Sequence, residues 1–218
     1  MPRAGLDAQI VAEAAAAIVD TDGRAALTLA RVAADLGVAA PSLYKHVAGL
    51  DDLTFRVATL SVRRMTDNLI AAAMGRSGYE ALLAVAEAYR RFAVEHPGLY
   101  ALTLGGHPFE SAERQAEVAR GMDVMRALTR SYGVPEDLTV DAIRLIRAAL
   151  HGFADLETQG GFRLPNGLDK SFLLLVEAIA TSLETLGSAK PANQTAGPGQ
   201  ADLLAPAPTT NSIARRRP

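Results

Sequence analysis

Apolar residues recur at helical spacing along most of the chain. Between residues 7 and 20 they lie at i, i+4, i+7 and i+8, the repeat of one buried helix face: Ile10, Ala14, Ala17 and Ile18. The same spacing predicts further helices over residues 28–36, 40–47, 51–74, 79–95, 110–131, 136–158 and 169–186. Runs rich in β-branched and aromatic residues, which would indicate strands, are missing. The pattern therefore predicts an all-α protein.

Start and stop signals divide residues 28–50 into two short helices. Thr28 is a good N-cap, since its hydroxyl can accept a hydrogen bond from the first turn. Gly37 suits the left-handed position that closes a helix. Pro41 fits the first turn of the next helix, where a missing N–H has no cost, and Gly49 ends that helix. Two helices joined by a tight glycine turn make a helix-turn-helix.

The second helix of this motif has one apolar side and one polar side. Leu43 and Val47 are four residues apart and should face the core. The opposite side then presents hydroxyl, phenol, ammonium and imidazole groups, which can reach phosphates and base edges, and small apolar groups that can meet a thymine methyl. In a helix-turn-helix this second helix enters the major groove. The candidate DNA contacts are Thr28, Ala40, Pro41, Ser42, Tyr44, Lys45 and His46.

Charge alone does not support DNA binding. The net charge is −2, and residues 1–50 carry four basic side chains against five acidic ones. Local placement of charge would have to attract phosphate. The same helical spacing also occurs in proteins that never bind DNA, so a solvated surface and a helical protein-interaction module, binding through residues 169–186, stay open as alternatives.

The stretch LTLARVAADLGVAAPSLYKHVAGLDDL, residues 27–53, resembles the DNA-binding domain of TetR-family transcriptional regulators. The similarity covers roughly residues 7–60 and includes the capping Thr28, the LGV turn and the LYKHV segment. It departs from the family at the start of the fourth helix, where many members carry a phosphate-binding lysine and this chain has Leu50; Arg3 can compensate.

The second half resembles the regulatory domain of the same family more weakly, through AYRRFAVEHPGLYALTL and AALHGFADLE. The resemblance implies a homodimer that binds a near-palindromic site on double-stranded DNA, most simply as a repressor. It also implies a small-molecule effector pocket in each regulatory domain, and pairing of the last two long helices with those of a second subunit.

Composition excludes several other functions. The chain has no cysteine, which excludes disulfides and thiolate chemistry. Asp7 and Glu13 interrupt the first apolar stretch, so no secretory signal is expected, and no segment reaches the roughly 20 apolar residues of a membrane span. No nucleophile elbow, P-loop or dinucleotide fingerprint is found. We therefore expect a cytoplasmic protein that is not an enzyme, needs no cofactor and does not contact a membrane.

Aromatic, methionine and polar residues in the middle of the chain are candidates for an effector pocket, since such pockets are mostly apolar with a few polar groups. Many of these residues would serve equally well as plain core. His151 and Asp155 share a helix face, yet two ligands do not make a metal site, so no metal is predicted. The candidates are Tyr89, Phe92, Tyr100, His107, Phe109, Met122, Met125, Arg126, His151 and Asp155.

The last helix is apolar around most of its circumference, because Leu173, Leu174 and Leu175 are consecutive. Such a helix is buried on several sides, either by a partner subunit or at the centre of a monomeric bundle. The candidate dimer contacts are Leu145, Phe172, Leu175, Val176, Ile179 and Leu183. The predicted domains are residues 1–50 for DNA binding and 51–187 for regulation, with 51–74 as the connecting helix. Residues 188–218, rich in Pro, Ala, Thr and Gly, are a predicted disordered tail.

Overall fold

The structure, a computed structural model, describes residues 5–104, 111–165 and 167–188. This part of the chain is all-α and contains no strand, which confirms the predicted fold class. Two short 3₁₀ segments, Arg24–Ala26 and Ala40–Lys45, accompany the helices. The helices are α1 Ala8–Asp22, α2 Leu29–Leu36, α3 Leu50–Ala73, α4 Gly78–Glu95, α5 Pro97–Leu104, α6 Ala112–Ser131, α7 Glu136–Thr158 and α8 Leu168–Ser188.

Local capping chemistry sets the first helix boundaries. Asp7 accepts a hydrogen bond from the backbone N–H of Ile10 at 2.8 Å, and Thr28 accepts one from Arg31 at 3.2 Å. Each side chain satisfies a donor that the first helical turn leaves free. Gly37 has a φ of 65° and closes α2 in the left-handed conformation, as the sequence predicts.

Two elements differ from the predicted ones. The segment expected as an α-helix over 40–47 is a 3₁₀ helix ending at Lys45, with i to i+3 bonds such as Ser42 N–H to Ala39 carbonyl at 2.8 Å. A segment this short gains little from α geometry, and 3₁₀ turns are common in such connectors. No helix is predicted between residues 95 and 110, yet α5 begins at Pro97, which fits the first turn of a helix, so only His96 separates α4 from α5.

Helix α3 joins the two halves of the molecule. It contacts α1 on one side and α4, α5 and α6 on the other. The buried residues form one continuous cluster, from Val11 and Leu43 near the N-terminus to Leu150 and Leu183 near the other end. The helix-turn-helix and the bundle therefore share a hydrophobic core through α3.

A second connection runs directly from α1 to α5. His96 Nδ1 lies 2.8 Å from Asp20 Oδ2. Two residues further, the backbone of Gly98 lies so close to α1 that a Cβ on this residue would come within 2.1 Å of the Val19 carbonyl oxygen. Glycine is required here for a close approach, not for its backbone conformation.

The last helix, α8, is long and apolar enough to cross a membrane by length and composition alone. Its most apolar stretch has a mean hydropathy of 1.3, and 28% of that stretch is buried inside the protein. The prediction that no segment meets this criterion is therefore wrong. Core helices of soluble proteins meet it too, and α8 packs one face against α4 and α7. Ser188 belongs to α8, and the rest of the predicted tail lies outside the described residues.

Candidate nucleic-acid interface and inner cavity

The 3₁₀ segment Ala40–Lys45, here called the reading segment, is anchored by two buried side chains. Leu43 is fully buried and Val47 nearly so, so they fix the segment against α2 and the core. Tyr44 is 61% exposed, and Pro41 and Lys45 are exposed as well. The remaining predicted contacts of this segment are half-buried: Ala40, Ser42 and His46.

Thr28 is exposed and caps the start of α2, at the end of this helix opposite the Gly37 turn. Its oxygen accepts the capping hydrogen bond from Arg31, which leaves the hydroxyl hydrogen free to donate to a phosphate. Leu50, at the start of α3, is 41% exposed. The position that many family members fill with a lysine is therefore an apolar surface side chain in this chain.

Arg56 is a cationic residue near the reading segment that the sequence reasoning missed. It lines a recess of about 670 Å³ together with residues 44–52. Its Nε donates to the Asp52 carboxylate at 3.2 Å, and Asp52 in turn accepts from the Ala48 N–H at 2.9 Å. The i, i+4 spacing of Asp52 and Arg56 was a usable signal for this pair.

An inner cavity of about 160 Å³ lies between α3, α4, α5, α6 and α7. Its wall is mostly apolar, with three methionines, and carries hydroxyl and guanidinium groups. The lining residues are Val62, Met65, Thr66, Leu69, Tyr89, Thr103, Leu104, Arg114, Val118, Gly121, Met122, Met125, Ile143 and Arg147. Of the predicted pocket residues, Tyr89, Met122 and Met125 are among them.

Three other predicted pocket residues, Phe92, Tyr100 and His151, do not line the cavity. The Tyr89 and Tyr100 hydroxyls are hydrogen-bonded at 3.0 Å, and the Tyr100 hydroxyl lies 2.6 Å from His151 Nδ1. Burial, followed by the Tyr89 contact, raises the pKa of Tyr100 well above its usual range, so the Tyr100 hydroxyl keeps its proton at physiological pH. Phe92 packs against His96, with ring centroids 5.2 Å apart.

Of the remaining predicted pocket residues, Arg126 and Asp155 also do not line the cavity. Arg126 is exposed on α6 and pairs with Asp123 at 3.1 Å, and Asp155 accepts a hydrogen bond from Gln159 at 2.6 Å. His107 and Phe109 lie outside the described residues. Arg114 and Arg147, which do line the cavity, were missed because α6 and α7 carry charges on several faces. Helical spacing alone does not say which face turns inward.

An ion-pair network holds α6 against α3 beside the cavity. Arg63 of α3 donates to Glu117 at 3.0 Å and also contacts Glu113. Arg120 of α6 reaches Asp67 of α3 at 2.7 Å and Glu117 at 2.6 Å. The hydrogen bond to Glu117 is the main cause that raises the pKa of Arg63. The arrangement ties the cavity wall to the helix that leads to the reading segment.

The structure corrects most of the predicted dimer contacts. Four of them, Phe172, Val176, Ile179 and Leu183, are buried in the subunit's own core, because this face of α8 packs against α4 and α7. Leu145 is exposed and Leu175 half-buried. The outward face of α7 and α8 instead carries small and apolar residues that are at least partly exposed: Leu145, Ala148, Ala149, Gly152, Leu156, Leu173, Leu174 and Ala178.

Comparison with known proteins assigns this arrangement to a class. Residues 82–179 match the family model described as "Tetracyclin repressor-like, C-terminal domain". The chain is 33% identical over 161 residues to the uncharacterized HTH-type transcriptional regulator Rv0681 of Mycobacterium tuberculosis, which covers 72% of each chain. It is 28% identical over 185 residues to the uncharacterized HTH-type transcriptional regulator YobS of Bacillus subtilis, covering 84% of this chain and 95% of YobS.

A solved structure shows the same fold. ActR of Streptomyces coelicolor, in complex with actinorhodin, superposes with a TM-score of 0.62 at 20% identity and covers 85% of this chain and 100% of ActR. The relatives are HTH-type transcriptional regulators, and this chain is of the same class. The chain belongs to the TetR family of transcriptional regulators.

Proposed function

We propose that the protein is a cytoplasmic repressor that binds a near-palindromic operator as a homodimer and leaves it when a small molecule binds. The exposed polar side of the reading segment carries this proposal. Tyr44 and Lys45 extend from a backbone that Leu43 and Val47 anchor in the core, so they are presented on a rigid element. Residues 1–50 serve as the DNA-binding domain and residues 51–187 as the regulatory domain.

The proposed DNA contacts have two roles: some position the protein on the phosphate backbone, and others read the base sequence. Thr28 and Lys45 are suited to phosphates, which fix the protein on the duplex without selecting sequence. Arg56 can join them if DNA competes with Asp52 for its guanidinium. Ser42, Tyr44 and His46 can reach base edges, while Ala40 and the Pro41 ring can meet a thymine methyl. With so few base-reading groups, DNA shape carries part of the selectivity.

The outward face of α7 and α8 is the proposed dimer interface. Leu174 is 55% exposed and Leu156 49% exposed in the single chain, and Gly152 has no atom within 4 Å of where its Cβ would lie. Small residues allow helices of two subunits to approach closely, and the leucines supply apolar area. Pairing there would place two reading segments about 34–36 Å apart, in successive major grooves.

The inner cavity is the proposed effector site. It borders α3, and α3 continues without a break to the helix-turn-helix. A ligand that favours a different position of α6 would shift α3 through the Arg63 and Arg120 ion pairs. It can release DNA only to the extent that it binds the released state more tightly. ActR, which shares this fold, has been solved with actinorhodin bound.

A gel-shift titration across a salt series tests DNA binding. The targets are the DNA beside the protein's own gene and a sequence selected by the protein from a random pool. A discrete complex with a steep salt slope is expected, because released counterions dominate the affinity. No sequence preference on either target would contradict the proposal and favour a protein-interaction role.

Matched variants test the reading segment. Tyr44→Ala and Lys45→Ala should each weaken operator binding by roughly 10-fold or more, about the effect of losing one good contact. Tyr79→Ala and Lys170→Ala remove the same side chains from exposed positions on α4 and α8, and should leave binding unchanged. If all four variants bind alike, the reading segment does not read DNA.

A further inference from the structure

The inner cavity contains a positive charge that no other group of the described chain neutralises. Its lining includes Arg114 and Arg147 and contains no Asp or Glu. Arg114 Nη1 is buried and has no hydrogen-bond partner. Among the arginines that the structure describes, Arg114 alone has a buried nitrogen of this kind. Burying an unpaired charged donor is unfavourable, so a ligand acceptor toward which the half-buried guanidinium turns would bind with a gain.

The neighbouring carboxylates on α6 already form ion pairs with other arginines. Glu113, next in sequence, contacts Arg63. Glu117, one turn further, is shared between Arg63 and Arg120. Arg63 and Arg114 therefore differ in pKa. Hydrogen bonding to Glu117 raises the pKa of Arg63, whereas burial lowers the pKa of Arg114. Arginine nevertheless stays protonated at neutral pH.

Packing holds the Arg114 side chain in place. Its Cζ lies 5.9 Å from the centroid of the Phe55 ring, and this ring of α3 is 8% exposed. A cation over an aromatic face gains some electrostatic energy, but the ring offers no hydrogen-bond acceptor to Nη1. The guanidinium therefore lacks an acceptor at Nη1, which an anionic ligand would supply.

The rest of the lining indicates the remainder of such a ligand. Thr66, Thr103 and Tyr89 supply hydroxyls, while Met65, Met122 and Met125 supply adaptable apolar surface. A cavity of about 160 Å³ is similar in size to an engineered cavity of about 150 Å³ that binds benzene. Guanidinium groups match the two oxygens of a carboxylate in a bidentate geometry.

We propose that the effector is a small carboxylate with an apolar body, the size of a monocyclic aromatic or short-chain fatty acid, and that Arg114 binds its carboxylate. This rests on the proposed function, in which the same cavity is the effector site. Arg147 adds a second positive charge to the cavity wall and selects further against cations.

The test compares acids with their uncharged isosteres, using the full-length protein. Benzoate and hexanoate are measured against benzamide and hexanamide by calorimetric titration and by the shift in melting temperature. At least one acid should bind roughly 10-fold or more tightly than its amide, since hydrogen bonds between charged groups are about twice as strong as neutral ones. This comparison needs no variant and so does not depend on a variant folding.

Variants then test whether Arg114 is the group that binds the carboxylate. Arg114→Met should abolish the preference for acid over amide, and Arg114→Lys should keep part of it. Arg130→Met removes an exposed arginine from the same helix and should keep the preference in full. Arg114→Met should also melt no lower than the wild type without ligand, because it removes a guanidinium nitrogen that is buried without a partner.

Three results would overturn the inference: equal binding of acid and amide, no binding of either acid, or an Arg114→Met variant that retains the preference. The proposed function is tested separately, by the gel shift without ligand. An acid that binds through Arg114 and leaves the DNA complex intact would support the ligand class and overturn the release mechanism.

Discussion

The contact between α1 and α5 can be tested by adding a single methyl group. In Gly98→Ala the new Cβ would lie 2.1 Å from the Val19 carbonyl oxygen and 3.3 Å from the Val19 Cγ1. Real Cβ atoms essentially never come within 3.0 Å of another heavy atom, so α1 and α5 must separate by about 0.9 Å. The obstructing atom belongs to the backbone, so no side-chain rotation relieves the clash.

The cost follows from what this separation disturbs. Inserting one methyl group into a well-packed contact costs about 1–3 kcal/mol. For a chain of this size that corresponds to a melting temperature lower by about 2–12 °C. The same shift strains the 2.8 Å contact between His96 and Asp20. It also rotates α1, against which α2 and α3 pack, so operator affinity should fall as well.

Differential scanning calorimetry and fluorescence anisotropy on labelled operator measure the two effects. Gly167→Ala is the matched control, because a Cβ at Gly167 meets no atom within 4 Å and its backbone does not require glycine. A Gly98→Ala protein that melts and binds DNA like the Gly167→Ala protein would show that α1 and α5 are not in close contact. Reduced stability with unchanged affinity would show that the contact holds the fold without positioning the helix-turn-helix.

Two further outcomes follow from the bundle. Leu174→Asp should convert the proposed dimer to a monomer in light scattering coupled to size exclusion, because it places a charge on the proposed interface. Met74→Asp, at a 71% exposed position outside α7 and α8, should not change the mass. A dimeric Leu174→Asp protein would contradict the proposed interface. Tyr100→Phe leaves the buried Tyr89 hydroxyl and the half-buried His151 Nδ1 without this partner, so it should lower the free energy of unfolding by about 1–3 kcal/mol. Chemical denaturation measures this loss, and an equal loss in Tyr79→Phe would refute the prediction.

The sequence predicts well those features that a few adjacent residues determine. Thr28 caps α2 and Gly37 ends it through interactions within one turn, so both could be predicted without the fold. The buried pair Leu43 and Val47 follows from spacing over one turn. Whether the reading segment forms a 3₁₀ helix or an α-helix was harder to predict, since both kinds of helix share the same capping residues at this length.

The sequence predicts poorly which of two similar helix faces turns inward. On α8 both Phe172 and Leu174 are apolar, and only packing against α4 and α7 buries the first and exposes the second. On α6 the same ambiguity concerns charge: Arg114 lines the cavity while Arg126 pairs with Asp123 at the surface. Tertiary contacts decide both cases, and they lie between residues far apart in the chain.

The helix-turn-helix is held to the bundle by two contacts of different character, and this limits how a ligand can act. Through α3 the contact is continuous helix and shared core, reinforced by ion pairs from Arg63 and Arg120 to α6. Through α5 it is a close backbone approach at Gly98 with one polar contact. The cavity borders both α3 and α5, with Thr66 and Thr103 on its wall. A ligand that displaces α3 but not α5 must therefore shear α1 against α5, and the tight Gly98 contact resists that motion. Under the proposed release mechanism the two helices have to move together, so Gly98→Ala should change the response to an effector as well as the affinity for DNA.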